Sequence, residues 1–82
     1  MRLAGKHAIV TGGASGFGKG IVEKFLTEGA RVMIADINGG AAQDLATTLG
    51  AAAVAQQVDV SDATSVQEMT EAAIATFGQV DI

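Results

Sequence analysis

The chain has 82 residues, a net charge of −4 and 49% hydrophobic residues, with Phe as its only aromatic, no Cys, no Pro and a single His. It is short enough for one domain at most, and a domain of this size buries only a little over ~60% of its unfolded surface. The charge offers no basic stripe for nucleic acid. The absence of Cys excludes disulfides and thiolate metal sites, and one His builds no zinc site alone. No apolar run is long enough to cross a membrane, and "MRLAGKHAIVTGG" lacks the long apolar core of a signal peptide. The expectation is a soluble cytoplasmic protein with an aliphatic core.

Short apolar runs alternate with helical patterns. The first run, "HAIVT", begins at His7, and a segment follows in which Ile21, Val22, Phe25 and Leu26 share one face, with Gly29 as its stop. The second run, "RVMIAD", begins at Arg31 and leads into a weaker helix whose inward residues are Ala42, Leu45, Ala46 and Leu49, stopped by Gly50. The third, "AVAQQVD", begins at Ala53, and Gln56 and Gln57 suit it to a sheet edge. A third helix carries Val66, Met69, Ala73, Ile74 and Phe77 on one stripe, capped by Ser61 or Asp62 and ended by Gly78. A fourth strand begins near Val80 with "VDI".

Strands separated by helices argue for parallel βαβ units. Right-handed crossovers then set an α/β, Rossmann-like doubly wound sheet of order 3-2-1-4, βαβαβα plus the start of a fourth strand. The third helix crosses to the opposite sheet face and leaves much of it uncovered, an association liability. The expectation is therefore that residues 1–82 are the N-terminal part of a longer α/β domain, cut within its fourth strand.

Four glycines stand within "TGGASGFG", residues 11–18, between the first strand and the first helix. Each is entropically costly to order, so the corner needs a reason for them. At the carboxyl end of a parallel strand, the free N–H groups and dipole of a helix start attract anions, and a diphosphate reaches them only where no Cβ intervenes. Gly12, Gly16 and Gly18 meet that need. A ligand-free glycine turn is the bland alternative. Asp36 closes the second strand 18 residues after Gly18, near the ~20-residue offset expected of a ribose-binding acid. A carboxylate there accepts from both adenosine ribose hydroxyls and repels a 2′-phosphate, which neither Ile37 nor Asn38 could neutralise. NAD is therefore expected over NADP, with Asp36→Ala narrowing the preference.

The spacing Thr11-Gly12-x-x-x-Gly16-x-Gly18, with "GKHAIVTGG", "ADI", "VDVSD" and "FGQVDI", resembles the coenzyme-binding part of the short-chain dehydrogenase/reductase family over the whole chain. The resemblance implies that Asp59 accepts from the adenine amino group, against a competing role in the turn to the third helix, and that Val60 lines the adenine pocket. Ile37 is expected to flank the adenine. Ser15 is expected either to bond the ribose or phosphate or to cap the first helix. It occupies a slot where relatives that prefer NADP often carry a basic residue. Phe17 completes the loop's set of cofactor contacts, with helix packing its favoured role, and Thr11 serves the turn.

The family's reaction moves a hydride between nicotinamide and a carbonyl or alcohol carbon, using a Tyr-x-x-x-Lys pair, and this sequence has no Tyr. The resemblance thus implies an NAD-dependent oxidoreductase when complete, acting on a small alcohol, sugar, steroid or 3-oxoacyl thioester as in acyl-carrier-protein reductases. Its members are usually tetramers or dimers. No catalytic and no metal residue is assigned. Two other readings are a non-catalytic nucleotide-binding or assembly module, and a methyltransferase, whose G-x-G-x-G loop the spacing does not match. His7 lies at the wrong end of its strand for ligand and reads as structural. Lys19, Glu68, Glu71, Asp44 and Asp62 read as solvated faces or caps.

Overall fold

A computed structural model describes residues 5–78, 80 and 81. Strand β1 (His7–Thr11) leads through the glycine corner into α1 (Gly16–Thr27), followed by β2 (Arg31–Asp36), α2 (Gly39–Leu49), β3 (Ala53–Gln57) and α3 (Ala63–Phe77). The strands form one parallel sheet in the order β1-β2-β3, with β2 central. This is the Rossmann-like βαβ arrangement expected.

Alternation along the strands sorts the core into two layers. Ala8, Val10, Val32, Ile34 and Ala53 face α1 and α2, where Val22, Ala42 and Ala46 complete one buried cluster. Met33 and Ala35 face the other way and meet Val58 and, from α3, Met69 and Ala73, with Ile9, Val54, Val66 and Phe77 packed against them. β2 is buried from Val32 to Ala35 because helices cover both of its faces. α3 thus crosses to the face opposite α1 and α2, as the pattern required.

Glycines stop all three helices. Past α1, Gly29 (φ 94°) donates to the Leu26 carbonyl and Ala30 to that of Phe25, both at 3.0 Å, the paired bonds of a Schellman turn. Gly78 (φ 83°) ends α3 in the left-handed region. At the start of α3 it is Asp62, and not Ser61, that caps, accepting from Thr64 N at 2.9 Å.

Three expectations need correction. β3 ends at Gln57, so Val58 and Asp59 belong to the connection that follows it. Ile74 is 52% exposed. It stands one residue, about 100° of helical turn, beyond the buried Ala73 and so leaves the Val66–Met69–Ala73–Phe77 stripe. Val80 and Asp81 form no strand, and Gln79 and Ile82 lie outside the described residues. Asp81 nevertheless takes the fourth-strand position: its N–H donates to the His7 carbonyl at 2.8 Å, and its Oδ2 accepts from His7 N at 2.9 Å. A β-residue's N–H and C=O point to one side. Asp81 therefore lies on the edge of β1 away from β2, which pairs through Lys6 O.

Candidate functional site

The corner at residues 11–18 is built by crowding on one side and emptiness on the other. Gly12 takes φ 68°, a left-handed conformation that favours glycine. A Cβ on Gly18 would land on the Gly12 carbonyl oxygen and lie 2.8 Å from Gly12 C and 3.0 Å from Gly13 Cα. The first turn of α1 therefore presses directly against the loop. Gly13, which the sequence pattern did not single out, is also crowded, though less than Gly18, since its Cβ would stand 3.0 Å from Val10 O and from Ile34 Cγ2.

At Gly16 a Cβ would meet nothing within 4 Å. No packing within the described residues demands glycine there. What it leaves open is the space over the helix start. The first bond of α1 runs from Lys19 N to Ser15 O at 2.6 Å, so among the described residues the N–H groups of Gly16, Phe17 and Gly18 have no hydrogen-bond partner. Three free donors at the positive end of a helix, with no side chain over the first of them, form an anion cradle.

Of the two roles foreseen for Ser15, the side-chain cap of α1 is not the one it takes. It occupies the N-cap of α1 without a side-chain cap bond, and its hydroxyl donates instead to Gly12 O at 3.0 Å, alongside Ser15 N at 3.3 Å. It braces the turn. Phe17 is 88% exposed, which overturns the helix-packing role, because its place on the first turn aims it away from the sheet. Thr11 is exposed at the end of β1.

Asp36 lies beside this cradle. Its Oδ2 accepts from Ala14 N at 3.1 Å and its Oδ1 from Asn38 N at 3.0 Å. One carboxylate thus ties the β1–α1 loop to the β2–α2 loop. Two ionised oxygens offer about four acceptor directions, so acceptor capacity remains for hydroxyls. Ile37 follows at 66% exposed, and Asn38 caps α2 by accepting from Ala41 N at 3.0 Å. Neither Ala14 nor Asn38 was among the expected site residues. The contact of Ala14 spans 22 positions and has no local signal.

Asp59 has the turn role, through one of its two oxygens. Its Oδ1 accepts from Ser61 N at 3.0 Å and Ser61 Oγ at 2.6 Å, while its own N–H donates to Ser65 Oγ at 2.9 Å. The Ser61 hydroxyl, then the Ser61 N–H, hold its pKa below the usual carboxylate value, with a slight opposing push from burial. A lowered folded-state value means that the unfolded chain binds more protons between the two pKa values. The stabilisation is therefore present above the ordinary value and lost as pH falls through the depressed one. Ser61→Ala is expected to bring the Asp59 carboxyl back toward 3.8 and to flatten acid sensitivity in that window. A carboxyl-carbon NMR titration reads the shift directly, and an unmoved midpoint would contradict it. Val60, next along, is 66% exposed.

All of these groups gather at the carboxyl ends of the three strands, the crevice side of an open parallel sheet. His7 sits at the opposite end, its ring stacked on Phe77 at 5.0 Å between centroids and its Nδ1 3.5 Å from Asp81 Oδ2, which bears out the structural role. Lys19, Glu68, Glu71 and Asp44 are exposed, as read. A shallow groove of about 320 Å³ runs between α1 and α2, lined by Lys19, Glu23, Asp44 and Leu45 among others. It lies on the helical flank and contains none of the free N–H groups. Among the described residues no cluster suits a metal ion, and no helix is long and apolar enough to cross a membrane.

The family model for short chain dehydrogenases matches residues 6–82. The chain is similar to a sorbitol dehydrogenase of Cereibacter sphaeroides, 44% identical over 82 residues, covering 100% of this chain and 32% of that protein. It is also similar to a D-threitol dehydrogenase of Mycolicibacterium smegmatis, 45% identical over 85 residues, covering 100% of this chain and 33% of that one. Among solved structures, a 3-ketoacyl-(acyl-carrier-protein) reductase from Brucella melitensis complexed with NADH superposes with a TM-score of 0.94. It is 42% identical, and the match covers 96% of this chain and 32% of that one. The chain spans about a third of the length of the curated relatives it matches.

Proposed function

The chain belongs to the short chain dehydrogenase family, and from that premise we propose that residues 1–82 are the N-terminal part of a Rossmann dinucleotide-binding domain that takes NAD in preference to NADP. The observation that carries this reading is the juxtaposition at the crevice: three unpartnered N–H groups over an open Gly16, beside a carboxylate held across two loops. In this reading the N–H groups of Gly16, Phe17 and Gly18 hold the diphosphate, with Gly12 and Ser15 shaping the turn beneath it. Asp36 accepts from the adenosine ribose, and Ile37 and Val60 wall the adenine. The outer oxygen of Asp59, beyond the Ser61 bonds, accepts from the adenine amino group. The preference against NADP follows from Asp36, whose charge opposes a 2′-phosphate with no cation within the loop to offset it.

Once bound, the dinucleotide supplies a hydride donor or acceptor. The complete protein is then an oxidoreductase acting on an alcohol or carbonyl carbon, in keeping with relatives named for sorbitol, D-threitol and 3-ketoacyl chemistry. These 82 residues contain no Tyr, so they position cofactor and leave proton transfer to residues outside this stretch. We place the enzyme in the cytoplasm as a homo-oligomer, to be read by fractionation and light scattering.

The test is an NADH titration of the intact protein followed by the fluorescence of the reduced nicotinamide, which is excited at longer wavelengths than protein side chains absorb. Saturable binding displaced by NAD, with NADPH at least about tenfold weaker, is the expected outcome. That factor is equivalent to about 1.4 kcal/mol. Equal affinity for NADPH would remove the assignment of Asp36, and no binding of either would remove the whole reading.

A further inference from the structure

The β2–α2 loop, which carries Asp36, Ile37 and Asn38, is held from an unexpected quarter. Gln57, the last residue of β3, stands opposite Asp36 in the sheet register and so projects from the same face. Its Nε2 donates to the Ile37 carbonyl at 3.2 Å. Its side chain also lies so close over the start of α2 that a Cβ on Gly39 would come within 3.0 Å of Gln57 Cβ and 3.3 Å of its Cγ. Gly39 and Gln57 are thus complementary, because the missing side chain makes room for the reaching one. The connection that follows β3 adds a second tie, Val58 N donating to Asp36 O at 2.9 Å.

Burial does not fix Ile37, which is largely exposed. We infer that Gln57 is a positioning residue for the adenosine end of the site, holding the Ile37 carbonyl so that the Asp36 carboxylate and the Ile37 side chain face the ligand together. This rests on the dinucleotide reading above. It adds a residue that touches no part of the cofactor and acts through the loop.

The test compares Gln57→Met with the parent in the intact protein. Methionine keeps the reach over Gly39 and removes the donor. The probes are AMP, for the adenosine half, and reduced nicotinamide mononucleotide, for the other half. Loss of one neutral hydrogen bond predicts a threefold to tenfold rise (about that range) in the AMP dissociation constant, with the mononucleotide constant unchanged. Gly39→Ala pushes the Gln57 side chain aside from the other direction. It is expected to reproduce the same selective loss, and the double variant to lose no more than the greater single one. An AMP constant within about twofold of the parent overturns the inference, as does a parallel weakening of both ligands, which would mark a purely structural residue. A parent protein that binds neither AMP nor NADH overturns the dinucleotide reading first and this inference with it.

Discussion

Gly18→Ala is expected to destabilise the protein by about 3 kcal/mol and to abolish dinucleotide binding. The added methyl group meets Gly12 C at 2.8 Å and Gly13 Cα at 3.0 Å, and lands on the Gly12 carbonyl oxygen. These are backbone atoms, with no rotamer to move to, so the strain falls at the upper end of the 1–3 kcal/mol (roughly) that overpacking brings. Against the ~5–15 kcal/mol of a typical domain that is a large fraction. Gly16→Ala is the informative contrast. It has no contact to lose and does not need a positive φ, so alanine should stabilise the fold by about 0.4–1 kcal/mol through the unfolded chain. Yet its methyl fills the cradle, and NADH affinity should fall at least about tenfold, or ~1.4 kcal/mol. Urea unfolding and NADH titration on the two variants separate the roles. Equal stability for Gly18→Ala, or intact binding for Gly16→Ala, contradicts the respective assignment.

Asp36→Ala is expected to weaken NAD about a hundredfold while leaving NADP almost unchanged, so the ratio of the NADPH to the NADH dissociation constant falls by about that factor. Two charge-assisted bonds to ribose hydroxyls would contribute ~1.5–3 kcal/mol each. A hundredfold loss, about 2.7 kcal/mol, lies just below the sum of the two lower bounds. Because the same carboxylate holds Ala14 N and Asn38 N, the variant should also lose about 1–2 kcal/mol of stability, less than a buried pair would because both N–H groups can reach water. Asp36→Arg places a planar cation where a 2′-phosphate would lie and should invert the preference. The decisive measurement is the ratio of NADPH to NADH dissociation constants across the three proteins. A ratio that stays flat from Asp to Ala to Arg removes Asp36 from the ribose site.

How far the site could be read in advance depended on the reach of each interaction. β1 and β2 came out with the bounds their apolar runs suggested, because strands covered on both faces leave an unbroken apolar signature. Gly12 and Gly18 were legible because a positive φ and a close approach both act within a few residues. Phe17 was misjudged as packing: an aromatic on a helical stretch resembles core until the crossing of helix and sheet shows which way its turn points. Ser15 has a hydroxyl that can turn several ways, and only the curl of the loop brings Gly12 O to it. Gln57 read as an edge residue of no consequence, because its partner lies 20 positions away across two strands.

The order of patterns along the chain by itself determined the layered α/β architecture, the crossover of α3 to the second face and the glycine corner with an acid at the next strand end. Each of these follows from periodicity, handedness and conformational freedom, which are properties of short stretches. Only the tertiary structure decided that Asp36 joins two loops, that Gly16 is open while Gly18 is blocked, that Asp59 is half engaged by Ser61, and that Gln57 props the loop beside it. Those facts depend on which atoms from distant segments come within 3–4 Å (approximately) of one another, and hydrogen bonds and steric exclusion act only over that distance.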